Sequence, residues 1–318
     1  MTYIWPLMTN TLIQMALLIA CGAFWREIRP GGFSAEHVRS VLTTAVYYLF
    51  LPAMIIDVLW RSTIGLNSLQ YTAIGITCIV VTILMMWFWG HVAKIERRKQ
   101  GAMILSATFA NVTYLGLPVL EQTFGGWARS VAIQMDLFAL APVLFTVGIG
   151  LARHYGTDTL QHKSILSFLN APPFWAAFIA VLLNINEVAI PTWLAGTLGK
   201  LSATVVPLML FSLGLALSFS SITWKNIPFL LPVVIVKMIL VPLLAWWLSR
   251  WLTLDDNYKA AIVMEMAMPS MVIGVVFCDR YQLDSEFYAM TVTVTTLLSL
   301  VTLQIWYNVL VHHTIYLH

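Results

Sequence analysis

The chain has 318 residues, of which 60% are hydrophobic and only 10% charged, with a formal charge of +3. A soluble domain carries about 25% charged residues, so a surface solvated mainly by water is excluded, and so small a net charge gives no basis for binding nucleic acid. The three cysteines, Cys21, Cys78 and Cys278, lie far apart in apolar runs and supply neither a disulfide framework nor a metal-ligand cluster.

A membrane helix needs about 20 mostly apolar residues. In chain order such windows fall at roughly 4–25, 38–60, 69–92, 101–123, 128–152, 165–186, 191–219, 227–250, 259–279 and 286–311, which predicts ten spans. The first has no basic segment before it and runs too long for a cleavable signal. One set of loops holds Arg26, Arg29, Arg39, Lys94, Arg97, Arg98, Lys99, Arg153, Lys163, Lys225 and Arg280, whereas the other holds Arg61, Arg129, Arg250 and Lys259. Basic residues favour the cytoplasmic side, so AKIERRKQ (93–100) is expected inside and both termini outside.

The longest polar connection, RHYGTDTLQHKS (153–164), separates a first half, 1–152, from a second, 165–318. Five spans per half is an odd number, so a duplicated second half would run inverted. A shift of 158 residues lays 101–126 on 259–284, matching Ala102 with Ala260, Ile104 with Ile262 and Gly116 with Gly274, and placing Asn111 on Pro269.

The fourth window contains FANVTYLGLP (109–118), with Asn111, Thr113, Gly116 and Pro118 crowded into a helix that should run unbroken. Proline removes a helical N–H, and an unpaired backbone group costs several kcal/mol in hydrocarbon, so such interruptions belong where backbone lines a cavity. Each alone reads equally as a simple kink, but paired interruptions at one depth of both halves point to a midplane site. The helices are expected to unwind near Asn111 and Pro269, presenting N–H groups whose partial positive charge favours an anion. The expected binding set is Asn111, Val112 and Thr113 with Pro269, Ser270 and Met271, and Gly116, Pro118 and Gly274 are the helix-loosening residues.

Ionisable residues inside spans need a reason. Glu265 stands one turn before Pro269 and so faces the break. Beside freed backbone carbonyls it suits Na⁺ or a proton, or else makes a local hydrogen bond or a pairing with Lys237. Lys237 is read as attracting a substrate carboxylate or neutralising Glu265 or Asp136, and Asp136 as a proton carrier or the partner of Lys237. Asp57, Glu121 and Asp279 near span ends read as solvated. LDDNY (254–258) has no second acidic motif to hold Mg²⁺, and His312, His313 and His318 sit on a short tail. With no phosphate loop or nucleophile elbow, nothing supports a membrane enzyme or sensor, and no cofactor or metal is expected beyond a coupling ion.

ATFANVTYLGLPVLEQTFG (107–125) resembles the fourth span of the auxin efflux carrier family, with its A-T-L-P-N-T-L-V-M-G-I-P-L-L stretch. MPSMVIGVVFCDRYQLD (268–284) resembles that family's ninth span, LFSLGLAL (210–217) its seventh and NAPP (170–173) the start of its sixth. The resemblance implies an all-α membrane fold of ten helices in two inverted five-helix repeats, with broken helices 4 and 9 crossing. It also implies a mobile transport domain of spans 3–5 and 8–10, a dimerising scaffold of spans 1, 2, 6 and 7, and an elevator-like motion. The implied activity is secondary transport of small organic anions such as carboxylates across a bacterial inner membrane, driven by Na⁺ or H⁺. Uncoupled movement of auxin-like weak acids is the alternative. A more distant likeness to the bile acid sodium symporters, similar in fold, places their crossing asparagine at Asn111 and their glutamate at Glu265. Ala110 stands where the carrier family has proline, and Pro269 where the symporters have glutamine.

Overall fold

In hydrocarbon the backbone must satisfy its own hydrogen bonds, and among the described residues it does so with helices and no strand. The structure is a computed structural model that describes residues 4–62, 65–156 and 172–311. Most of the expected connection 153–164, the start of the sixth predicted span and the three tail histidines lie outside those residues.

In chain order the helices are α1 (Ile4–Ile28), α2 (Ala35–Trp60), α3 (Leu66–Val92), α4 (Arg97–Thr108), α5 (112–124) and α6 (Ala128–Tyr155). They continue with α7 (Pro172–Ile185), α8 (Thr192–Ala216), α9 (Trp224–Ser249), α10 (Asp256–Met266), α11 (Gly274–Arg280) and α12 (Ser285–Leu310). Six of them, α2, α3, α6, α8, α9 and α12, are each long and apolar enough to cross a membrane. By contrast α4, with 12 residues, reaches only about 18 Å of the roughly 30 Å hydrocarbon layer. The predicted fourth and ninth windows are thus each two short helices in succession.

The helices pack in two sets. In one, α1 lies on α8, and α2 on α7 and α8. Gly22 and Gly214 let α1 and α8 touch backbone to backbone: a Cβ on Gly22 would stand 3.0 Å from the Gly214 Cα. Small residues are the usual means of close approach between helices in lipid. In the other set α4 is enclosed by α3, α6 and α12, and α10 by α5, α6 and α9.

Four prolines impose a recurring local shape. Leu51, Leu117, Ala141 and Val241 donate their N–H five residues back, to Val46, Val112, Asp136 and Val236, forming single π turns. Each stands immediately before a proline: Pro52, Pro118, Pro142 or Pro242. Proline cannot donate, and its ring pushes on the carbonyl four residues back, so the helix widens. One displaced carbonyl, that of Met238, accepts from Trp306 Nε1 at 2.8 Å. The π turns carry Thr113 and Gly116, Asp136, and Lys237, and so deliver these residues to the interior.

Candidate functional site

The chain is unwound over 109–111, between α4 and α5, and over 267–273, between α10 and α11. Phe109 is extended (φ −91°, ψ 117°). The two stretches pair antiparallel, with Ala110 opposite Ser270. Asn111 N–H donates to the Pro269 carbonyl at 2.8 Å, and Met271 N–H to the Phe109 carbonyl at 3.0 Å. Each break therefore satisfies backbone groups of the other. The carbonyls left at the end of α4 are also met: Ser270 Oγ donates to Ser106 O at 2.7 Å, and Lys237 Nζ approaches Thr108 O at 3.4 Å. Both donors satisfy carbonyls that the end of a helix leaves without an intrahelical partner. Ser270 N–H in turn donates to Thr295 Oγ1 at 3.2 Å, and Tyr288 Oη to Met271 O at 3.0 Å. Gly274 leaves room for that tyrosine ring.

The N-terminus of α5 is different. Asn111 O accepts from Leu115 and Gly116, while the N–H groups of Val112, Thr113 and Tyr114 have no backbone acceptor among the described residues. The Asn111 amide, 1% exposed, has neither its oxygen nor its nitrogen bonded among the described residues. Thr113 Oγ1 donates to Asp136 Oδ2 across to α6, beside a cavity of about 20 Å³, room for about one water. On the opposite side of the same turn, Gly116 faces Glu265 of α10: a Cβ there would lie 2.5 Å and 2.7 Å from the carboxyl oxygens. Glu265 is 0% exposed, and among the described residues neither oxygen has a donor. One π turn thus sits between two carboxyl groups, one bonded and one not.

Lys237, 1% exposed, forms no ion pair with Glu265 or Asp136 among the described residues; α9 directs it to the end of α4 instead. Glu121 and Asp57 are paired with Arg129 (3.5 Å) and Arg61 (2.9 Å). Among the described residues no group of three or more His, Cys, Asp or Glu side chains is arranged for a metal ion.

A cavity of about 210 Å³ adjoins the crossing, lined by Tyr114, Val272, Ile273 and Val276 on one wall and by Arg39, Ser40, Thr43, Ser212 and Leu213 of α2 and α8 on the other. Sequence reasoning assigned none of these to a site. Arg39 entered only as a topology charge, and Ser212 carried no signal beyond a hydroxyl in an apolar run. A second cavity, of about 350 Å³, lies at the opposite helix ends around Asp57, Arg61, Tyr71, Trp127, Arg129 and Tyr258.

A helical membrane protein whose core is a polar crossing of unwound backbone, reached by a cavity between two helix sets, is of the transporter class. The sequence profile of the membrane transport protein family matches residues 7–152 and 156–307, and the chain belongs to that family, which is the auxin efflux carrier family its motifs resemble. It is similar to an uncharacterized transporter of Methanocaldococcus jannaschii, 26% identical over 307 residues, covering 93% of this chain and 97% of that protein. It is likewise similar to an uncharacterized transporter of Methanothermobacter thermautotrophicus, 27% identical over 307 residues, covering 95% and 98%.

Proposed function

We propose that this membrane transporter is a secondary carrier of small organic anions, carboxylates foremost, with the substrate held at the crossing. The observation that carries this is the start of α5: three N–H groups without backbone acceptors, beside an unbonded, buried Asn111 amide. Unmatched donors at a helix N-terminus favour a negative group. Tyr114, in the same turn, lines the 210 Å³ cavity, which gives the anion a route in.

The ten-span, inverted-repeat reading draws support from the helix bounds. Subtracting 158 from Asp256–Met266 gives 98–108 against Arg97–Thr108 for α4, and subtracting it from Ser285–Leu310 gives 127–152 against Ala128–Tyr155 for α6. The two packing sets match a scaffold (α1, α2, α7, α8) and a mobile body (α3–α6, α9–α12) that carries the crossing, as an elevator requires. Dimerisation through the scaffold, with both termini outside, completes this reading. Coupling is assigned to Glu265, since a carboxyl group without a donor in a dry site is completed by a proton or by a cation such as Na⁺. One observation favours the uncoupled alternative: the Lys237 amine already meets the Thr108 carbonyl at the end of α4, where a coupling cation would otherwise serve.

Liposomes containing the purified carrier, offered mono- and dicarboxylates under imposed Na⁺ or pH gradients, test both readings. Uphill accumulation indicates coupling, and flux indifferent to either gradient selects the uniporter. Asn111→Ala is expected to abolish flux while leaving the protein folded; undiminished flux would remove the crossing from the mechanism.

A further inference from the structure

An open groove of about 470 Å³ runs along α1, bounded by the chain just beyond α8 and by the middle of α12. Its floor holds Ala16, Ala20 and Ala23, which the helical repeat sets on one face of α1. Leu297 and Leu300 of α12 line the side. Small residues alone define no more than a helix contact, but two polar features mark this groove out. Arg26 and Glu27 stand together at one end of it, in the last turn of α1. Arg26 donates from Nη1 to Leu215 O at 2.9 Å and pairs with the exposed Glu36 at 3.5 Å, which leaves donors of the guanidinium to spare. Glu27 makes no ion pair and no side-chain hydrogen bond among the described residues. Further along the groove the Thr296 hydroxyl, in a residue 1% exposed, has no partner among the described residues. Its neighbours Thr291, Thr293 and Thr295 each donate to the carbonyl one turn back, the usual recourse of a hydroxyl on an apolar helix.

The dimensions are those of one lipid molecule. From Arg26 to Ala16 the helix runs about 15 Å, half of the roughly 30 Å hydrocarbon layer. At about 30 Å³ for each water-sized group, 470 Å³ takes roughly sixteen groups, close to the methylenes of one acyl chain. The polar groups are spaced to match. Arg26 is tied to Leu215 O, and the N–H of Ser218, just beyond it, donates to Thr293 Oγ1 at 3.0 Å. Thr296 therefore lies about one helical turn, ~4.5 Å, further in than the guanidinium, where an ester carbonyl follows a phosphate. We propose that the groove is a binding site for one phospholipid with a primary ammonium in its headgroup. Arg26 takes the phosphate, Glu27 the ammonium and Thr296 an ester carbonyl, while an acyl chain lies over the three alanines. The neighbouring charges of opposite sign choose the headgroup. Arginine alone suits any phosphate, but a free carboxylate beside it repels an anionic headgroup and attracts an ammonium. A quaternary ammonium has no N–H to give that carboxylate, so the charge-assisted hydrogen bond selects the primary amine. The lipid sits at the seam between the two helix sets, α1 and α8 on one side and α12 on the other. This site goes beyond the carrier reading and requires no particular substrate.

The test uses the full chain, purified in detergent, stripped of lipid and offered phospholipids of one acyl composition, with retention read by native mass spectrometry. Wild type is expected to hold one phosphatidylethanolamine per chain about tenfold more tightly than phosphatidylcholine or phosphatidylglycerol, the factor that about 1.4 kcal/mol represents. Ala20→Trp, which fills the floor, should abolish retention. Glu27→Gln should bring the three lipids within about twofold of one another, and Thr296→Val should weaken all three alike, since the ester carbonyl is common to them. Glu27 is exposed, so its variant carries the test even if Ala20→Trp does not fold, which thermal unfolding of each preparation reports. Equal retention of the three lipids by wild type would overturn the assignment, as would a preference left intact in Glu27→Gln. Competition by glycerophosphoethanolamine, the headgroup without its chains, would replace the lipid with a soluble phosphate ester. A folded Ala20→Trp of lower oligomeric mass with lipid retention unchanged would give the groove to a second copy of the chain instead.

Discussion

Glu265 shows how much a single atom decides here. Its carboxyl group is buried without a donor, against the bare Cα of Gly116. An ionisable group in such a place costs ~2.5–3.5 kcal/mol on insertion scales, so replacing it by a neutral isostere should relieve the fold. Glu265→Gln is expected to raise the midpoint of thermal unfolding in detergent and to remove any dependence of flux on Na⁺ or pH; a lowered midpoint with ion dependence intact would assign the residue a structural role. Position and polarity were legible at this scale: Glu265 one turn before Pro269 and Asn111 among helix-breaking residues are features of the string itself. Partnership was not. Lys237, which was expected to reach Glu265, Asp136 or the substrate, is carried by its π turn to a carbonyl of α4, because its rotation about α9 depends on the widening before Pro242.

At the scale of elements, prolines act as shape instructions. Pro52, Pro118, Pro142 and Pro242 each follow a π turn, and a π turn shifts the register of everything beyond it by one residue. Pro242→Ala should let α9 close to regular α geometry. The expected result is rotation of Lys237 away from Thr108 and loss of transport with the fold retained, measured as flux alongside thermal unfolding of the same preparation. The break at 109–111 makes a complementary point. No proline lies in it, Ala110 standing at that place, yet the helix opens, because the donor at Asn111 and the acceptor at Phe109 find partners in the other break. Helix contact obeys the same economy: Gly214→Val would drive a side chain into the backbone of α1. It is expected to weaken the α1–α8 contact and lower the unfolding temperature by several degrees, on the order of a 1–3 kcal/mol overpacking penalty.

For the molecule as a whole, the basic run 93–100 is more than a topology signal. Arg97 reaches His154 O at the end of α6, Arg98 bonds Gln282 O, and Lys99 bonds Asn226 Oδ1 at 2.8 Å and pairs with Asp284 at 3.6 Å. One segment thus ties the ends of α6, α9, α11 and α12, all in the set that holds the crossing. A body tied in this way suits motion as a unit, and the cavity between Ser40 of α2 and Val276 of α11 is where relative motion would register. Cysteines introduced at these two positions in a cysteine-free background, once cross-linked, are expected to arrest flux reversibly; undiminished flux after complete cross-linking would exclude the elevator movement.

The sequence alone determined that the chain lives in lipid and that residues able to interrupt a helix crowd around Asn111 and Pro269, since these depend on local composition and residue type. The tertiary structure alone decided how the two breaks satisfy each other, which carboxyl group is left without a donor, and that Arg39, some 70 residues before the first break, faces the same cavity. Those depend on the rotation of each helix about its own axis and on which surfaces meet, and neither is encoded in the local periodicity of a chain whose helices are apolar on nearly every side.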